Sequence, residues 1–250
     1  PQLSCEQIHG EISTRIDLLA LGAAAVIPVA IAAQPASAAK FSYDSQSIGG
    51  NQNVGVHKSI TTTYDTNSEM LTWSSTFAEK NGKLADGAWL VLSEGPNPKG
   101  DKQEYTMFYL DGVAEKLTAY TYNGRNGSDS WKDSNSVYLD SWDLAVSTVG
   151  NERTFSFAVD MTDINSRTDL GADWKGTFYE EKIGIWFHGV ADVDAEYNAS
   201  HELTKFNYSS QGWYDTANED AEKVPEPFLA VGLGAAAAFG AVRRKRSTAV

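Results

Sequence analysis

The chain has 250 residues, of which 42% are hydrophobic and 11% aromatic, so it contains enough apolar material for a packed domain and is not a disordered chain. Its formal net charge of −13 excludes nucleic acid as a partner, because binding to phosphates needs a basic face. The single cysteine, Cys5, excludes an intrachain disulfide and a cysteine-based metal site, and no cofactor is expected apart from a calcium ion at one acidic segment.

An apolar run lies near the beginning of the chain. It is preceded by Arg15, it carries no charge over residues 18–33, and it is followed by Ala36 and Ala38, small residues of the kind that signal peptidase accepts before its cleavage site. The sequence becomes polar directly afterwards. We therefore predict that residues 1–38 are a leader with a secretory signal peptide, cleaved near 38/39; a buried apolar helix is the alternative.

Residues 39–215 have the pattern of an all-β domain. In the segment TFSFAVDM, residues 154–161, apolar side chains alternate with small or polar ones, as in a strand with one buried face. Turn-forming pairs such as Asn81-Gly82 and Asp111-Gly112 separate similar segments. This pattern predicts a single antiparallel β-sandwich of the jelly-roll or concanavalin-like kind. The other predicted strands lie in residues 69–77, 87–95, 104–110, 116–124, 143–149, 182–190 and 202–210.

The tryptophans indicate a surface for carbohydrate, because the apolar C–H faces of sugars pack on aromatic rings. Tryptophans within apolar strands are expected in the core. Trp131 and Trp174 instead lie among turn-forming residues, and we predict that they are exposed and bind glycan. Trp213 and Tyr214 are interpreted as residues that seal the end of the domain.

The segment ADVDAEYN, residues 191–198, is the strongest candidate for a functional site made of carboxylates. Asp192, Asp194 and Glu196 alternate and would share one face of a strand. The pattern resembles the alternating carboxylates of retaining glycosidases of the concanavalin-like fold, except that Asp stands where those enzymes have the first Glu. Three interpretations remain open: catalytic carboxylates, a calcium site, or a solvated acidic loop. The four histidines have no spacing typical of a metal site.

The end of the chain, residues 224–247, reads VPEPFLAVGLGAAAAFGAVRRKRS. Residues 228–242 are uncharged and would span roughly 22 Å as a helix. This is shorter than the hydrocarbon core of a membrane, about 30 Å, and the flanking residues would supply the remaining length. They are followed by the cations Arg243, Arg244, Lys245 and Arg246. Such a cluster resists translocation and remains on the cytoplasmic side. We predict a transmembrane helix, preceded at residues 216–223 by an acidic linker; a core helix is the alternative.

The tripeptide Pro225-Glu226-Pro227, followed by this helix and basic cluster, resembles the PEP-CTERM sorting signal of Gram-negative bacteria. The resemblance covers residues 224–247, and its three parts occur in the order that the family requires. It implies that an integral-membrane exosortase recognises Pro225, Glu226 and Pro227, with the inner membrane as a transient partner. The block GAWLVLSEGPNPKGD, residues 87–101, is also similar to a segment of cyanobacterial proteins that carry the same tail.

Two functional classes are compatible with these features. The first is an exported, non-catalytic protein, structural or glycan-binding, that passes from an inner-membrane-anchored precursor to the cell envelope or extracellular matrix. Its partners would be signal peptidase, exosortase and an envelope polysaccharide. The second is a secreted glycoside hydrolase or lyase, which needs two carboxyl groups that face each other across a groove. The first is favoured, because it requires only exposed aromatic residues and polar loops.

Overall fold

The structure is a computed structural model that describes residues 39–46, 54–95, 104–124, 131, 132 and 136–225. The predicted signal peptide, Glu226 and the segments after it lie outside the described residues. The described part contains one helical turn, α1 (Thr162–Asn165), and no helix in it is long and apolar enough to span a membrane. Its strands are β1 (Lys40–Gln46), β2 (Val56–Asp65), β3 (Met70–Ala78), β4 (Gly87–Ser93), β5 (Thr106–Asp111), β6 (Lys116–Thr121), β7 (Tyr138–Asp143), β8 (Ala145–Val149), β9 (Glu152–Asp160), β10 (Lys182–Ala191), β11 (Asp194–Tyr197), β12 (Leu203–Asn207), β13 (Ser210–Gln211), β14 (Tyr214–Asp220) and β15 (Glu222–Val224).

The strands form two large antiparallel sheets. The first sheet has the order β15-β1-β2-β3-β9-β8, and the second has the order β13-β10-β4-β5-β6-β7, with β14 also paired to β10. A separate hairpin pairs β11 with β12. Only Leu144 separates β7 from β8, so the chain passes directly from the second sheet to the first at this point.

The two sheets pack face to face around a hydrophobic core, and the described residues belong to one compact unit. Aromatic rings from the two sheets meet in this core. The ring centroids of Trp73 and Phe187 are 5.2 Å apart, and those of Phe157 and Phe108 are 5.5 Å apart. The predicted all-β class with antiparallel sheets is therefore confirmed, and the packing is that of a β-sandwich.

All eight predicted strand segments overlap an observed strand. In β9 the expected alternation holds, because Phe155, Phe157 and Val159 are buried while Ala158 and Asp160 are exposed. The sequence did not predict β1, β2 and β7. The buried positions of β2 include threonine and tyrosine as well as isoleucine, so the strand lacks the aliphatic alternation that marks β9.

The outer face of the second sheet, which points away from the first sheet, is also buried. The β11–β12 hairpin covers it, and Phe206 of this hairpin has its ring centroid 5.2 Å from that of Trp89 and 5.0 Å from that of Tyr109. A polar contact fixes the hairpin, because the hydroxyl of Tyr197 donates to the buried carboxylate of Asp111 at 2.7 Å. These aromatic residues are therefore core residues and do not form an open binding surface.

The acidic segment 216–223 lies in strands and is not a linker. Strand β14 pairs with β10 in the second sheet, and β15 pairs with β1 in the first. Asp, Asn and Glu have low strand propensity, but backbone pairing with an ordered neighbouring strand outweighs that preference here. The sandwich therefore extends to Val224, beyond the predicted boundary at residue 215, and Pro225 follows directly.

Candidate functional site

Asp192 does not share a strand face with the other two acidic residues. It lies in the turn between β10 and β11, with a φ angle of +55°. Its carboxylate accepts hydrogen bonds from Lys83 Nζ, at 2.8 Å, and from the hydroxyl of Ser209. These bonds, chiefly the one from Lys83, hold the pKa of Asp192 below its ordinary value. Asp192 therefore belongs to an ion pair of its own.

Asp194 and Glu196 do lie on one face of β11, as predicted, and both are exposed. Each carboxylate lies 2.8 Å from the Nζ of Lys205 on the neighbouring strand β12. Hydrogen bonds to Asp194 and Glu196 raise the pKa of Lys205, so this ammonium stays charged. Two carboxylates that share one lysine on an exposed strand have the geometry of a surface ion-pair network.

Within the part of the chain that the structure describes, no group of three or more His, Cys, Asp or Glu side chains is placed to hold a metal ion. At the predicted calcium site, a lysine ammonium already contacts each carboxylate. Calcium binding by Asp192, Asp194 and Glu196 would have to displace both Lys83 and Lys205, and it would have to draw Asp192 towards the other two.

The prediction that Trp174 is exposed is wrong. Its side chain is 9% exposed, and its Nε1 donates to the backbone carbonyl of Ile164 in α1 at 2.8 Å. The turn residues around Trp174 fold the indole ring onto the sandwich, so the polar neighbours in the sequence did not imply exposure. Trp131 is half-buried against the outer face of the second sheet, and the Nζ of Lys132 lies 5.6 Å from its ring centroid.

Trp213 is an exposed tryptophan, with 43% of its surface accessible. It lies in the short connection between β13 and β14, directly before Tyr214. The hydroxyl of Tyr214 is 3.1 Å from that of Tyr43 in β1, and this contact ties the connection to the first sheet. Tyr214 therefore helps to close the end of the sandwich, as interpreted from the sequence, whereas Trp213 remains at the surface.

A small cavity of about 10 Å³ lies beside Trp213 and is also lined by His57. The imidazole of His57 stacks on Phe77, with ring centroids 4.6 Å apart, and its centroid is 4.9 Å from that of Phe187. His57 is 6% exposed, and its Nε2 has no hydrogen-bond partner among the residues described. Burial lowers the pKa of His57 to about 3, so the ring is neutral near pH 7.

Glycine at position 189 keeps this cavity open. A Cβ atom at Gly189 would lie 3.0 Å from the ring of Phe77 and 3.2 Å from the side chain of Val54, both of which line the cavity. A larger residue would therefore crowd these neighbours and fill the space beside His57. The site combines an exposed aromatic ring, a buried polar nitrogen and a space of the size of one hydroxyl group or water molecule.

Sequence reasoning did not identify this site. His57 and Trp213 are far apart in the sequence. They line one cavity only because β14 pairs with β10 and the two sheets pack together. One signal was available in the triplet Gly212-Trp213-Tyr214, because glycine within a strand region often marks a place where a ligand or another backbone approaches closely.

No family model and no curated protein matches the chain. A solved structure described as "pH-induced modulation of Streptococcus parasanguinis adhesion by Fap1 fimbriae" is similar to it with a TM-score of 0.28 and 11% sequence identity, over 75% of this chain and 100% of that chain. A similarity at this level carries no argument about the fold or the function.

Proposed function

We propose that this protein is an exported, non-catalytic β-sandwich that binds a polysaccharide of the cell surface or extracellular matrix, and that its PEP-CTERM-like tail sorts it there. The observation that carries the proposal is Trp213, an exposed indole ring beside a cavity with a polar lining residue. Exposed aromatic rings on a rigid scaffold suit the apolar faces of sugars. The proposal places the sandwich in the jelly-roll or concanavalin-like class, in which sugar-binding domains are common.

The arrangement of the acidic residues supports a non-catalytic role. A retaining glycosidase needs two carboxyl groups that flank the scissile bond, one of them with a raised pKa so that it can act as an acid. Here the pKa of Asp192 is lowered, and Asp194 and Glu196 share a lysine on one exposed strand. The hydrogen bonds to Asp192 stabilise its ionised form, and Asp194 and Glu196 lie side by side on one strand, whereas a glycosidase needs carboxyl groups on both sides of the scissile bond.

The position of Pro225 supports the sorting hypothesis. Strand β15 ends at Val224, and Pro225 is exposed directly after it. An exposed Pro225 suits recognition of the tripeptide by a membrane-bound enzyme. In this proposal, signal peptidase removes the leader near 38/39, residues 228–242 anchor the precursor in the inner membrane, and exosortase processes it for the envelope.

The full chain should be retained on an insoluble neutral polysaccharide such as cellulose, mannan or galactan, and should release no sugar from it. Retention is measured by depletion of the protein from solution, and hydrolysis by the appearance of reducing ends. A triple variant with Asp192→Asn, Asp194→Asn and Glu196→Gln keeps the side-chain shapes without the charges. We expect this variant to be retained equally well.

Either of two outcomes would change the proposed function. Reducing ends released by the unmodified chain and not by the triple variant would make the protein a glycoside hydrolase. Absence of retention on every polysaccharide would remove glycan binding, and a structural role in the envelope or matrix would take its place.

Glu226→Ala should trap the precursor in the inner membrane, because it changes the tripeptide that exosortase is proposed to recognise. The sandwich should stay folded, since Glu226 lies outside the described strands, after β15. Membrane fractionation and the mass of the C-terminal peptide in the native host measure the effect. Glu222→Ala removes an exposed carboxylate from β15 and serves as the matched control, which should be processed normally. Normal processing of Glu226→Ala would contradict the sorting hypothesis.

A further inference from the structure

The cavity beside Trp213 is too small for a sugar ring but has the size of one hydroxyl group. Its volume of about 10 Å³ is near the minimum for a single water molecule, and a hydroxyl oxygen has a similar size. Trp213 lines this cavity and also presents an exposed ring to solvent. A sugar ring stacked on the indole could therefore direct one hydroxyl group into the cavity.

The buried nitrogen of His57 would be the partner of that hydroxyl group. Its Nε2 has no hydrogen-bond partner among the described residues, and an unpaired buried polar atom carries a free-energy cost that a bound hydroxyl removes. A hydroxyl group both donates and accepts, so it can pair with Nε2 in either tautomer of the neutral ring. The stacking on Phe77 and the contact with Phe187 hold the imidazole in place.

We propose that a neutral hexopyranose unit of a polysaccharide binds here, with its C–H face on Trp213 and one hydroxyl group hydrogen-bonded to Nε2 of His57. This inference rests on the proposed glycan binding and specifies where it occurs. A neutral sugar fits best because the chain has a formal net charge of −13, which repels uronic acids and sulfated polysaccharides. The site is distinct from the half-buried Trp131, which packs on the outer face of the second sheet.

The test compares binding isotherms of the full chain and its variants on whichever of cellulose, mannan and galactan retains the unmodified chain. The full chain includes the predicted transmembrane helix, so it is kept in detergent. A polyoxyethylene detergent is used, because sugar-based detergents would compete for the site. Trp213→Ala should weaken binding roughly 2- to 12-fold, as expected for the loss of an aromatic contact. Trp213→Tyr keeps an aromatic ring and should retain most of the affinity.

The second variant, His57→Phe, keeps an aromatic ring against Phe77 but removes the nitrogen. It should weaken binding roughly 2- to 12-fold, as expected for the loss of one hydrogen bond. Val149→Ala is the matched control, because Val149 is 77% exposed on β8, an edge strand of the first sheet, and is not among the residues that line the cavity. Its binding should equal that of the unmodified chain, and near-UV circular dichroism shows that each variant is folded.

Each failure has a separate meaning. If Trp213→Ala binds as well as the unmodified chain, this inference is overturned while glycan binding at another face stands. If Trp213→Ala weakens binding but His57→Phe does not, the hydroxyl group does not occupy the cavity and the proposed hydrogen bond is overturned. If no polysaccharide retains the unmodified chain, both this inference and the proposed glycan binding fail.

Discussion

A chain that stops after Trp213 should fail to form the native sandwich. It would lack β14 and β15, so that β10 and β1 would each lose a neighbouring strand, and it would lack Tyr214, which packs against the core. We expect a loss of several kcal/mol, comparable with the ~5–15 kcal/mol by which domains are stable. Urea unfolding followed by tryptophan fluorescence measures this loss.

The matched control for this truncation is a chain that stops after Val224. It keeps both strands and removes only the residues after β15, so its urea midpoint should equal that of the full chain. If the shorter chain also kept the native midpoint, residues 216–223 would add no stability and would act as the linker that the sequence suggested.

The domain should lose stability as the pH falls below 6.5, because His57 is buried as a neutral imidazole. Burial lowers its pKa from 6.5 to about 3, so between these values the unfolded chain binds a proton that the folded domain does not. The contribution of the neutral imidazole to the free energy of unfolding has its full value above pH 6.5. It declines as the pH falls from 6.5 to about 3. At pH 5 the expected loss in the free energy of unfolding is ~2 kcal/mol. Urea unfolding of the full chain at pH 7 and pH 5 measures it.

His57→Phe is the variant that isolates this effect, since its ring can stack on Phe77 but cannot be protonated. The change in the free energy of unfolding between pH 7 and pH 5 should be ~2 kcal/mol smaller in the variant. Asp65 and Asp192 affect stability only at lower pH. Hydrogen bonds hold their pKa values below 3.8, so the stability that they contribute is lost only as the pH falls below about 3.8. An identical pH dependence in both proteins would show that His57 is not buried in the neutral form.

The strands could be predicted where their signal is local. In β9, successive side chains point to opposite faces, so the alternation of Phe155, Phe157 and Val159 with smaller or polar residues is enough to identify the strand and its buried face. Turn residues act over an equally short range. At the end of β5, for example, the carboxylate of Asp111 accepts a hydrogen bond from the backbone N–H of Val113 at 2.9 Å.

Prediction failed where a contact with a distant segment outweighed the local preference. Strand β14 has the sequence YDTANED, which is poor in strand-forming residues, yet it pairs with β10 because that strand has an edge available. Trp174 lies among turn residues, yet its indole packs in the hydrophobic core, where a backbone carbonyl of α1 accepts its N–H. In both cases a partner elsewhere in the chain determined the outcome.

The sequence by itself determined the all-β class, most of the strand positions and the acidic character, because each depends on composition or on residue types close together in the chain. Only the tertiary structure decided that Asp192 pairs with a different lysine from Asp194 and Glu196, and that His57 and Trp213 line one cavity. The physical reason is that these contacts depend on which strands pair and how the sheets pack. Tyr43 and Tyr214, whose hydroxyl groups meet although they are 171 residues apart, show how long the range of such contacts is.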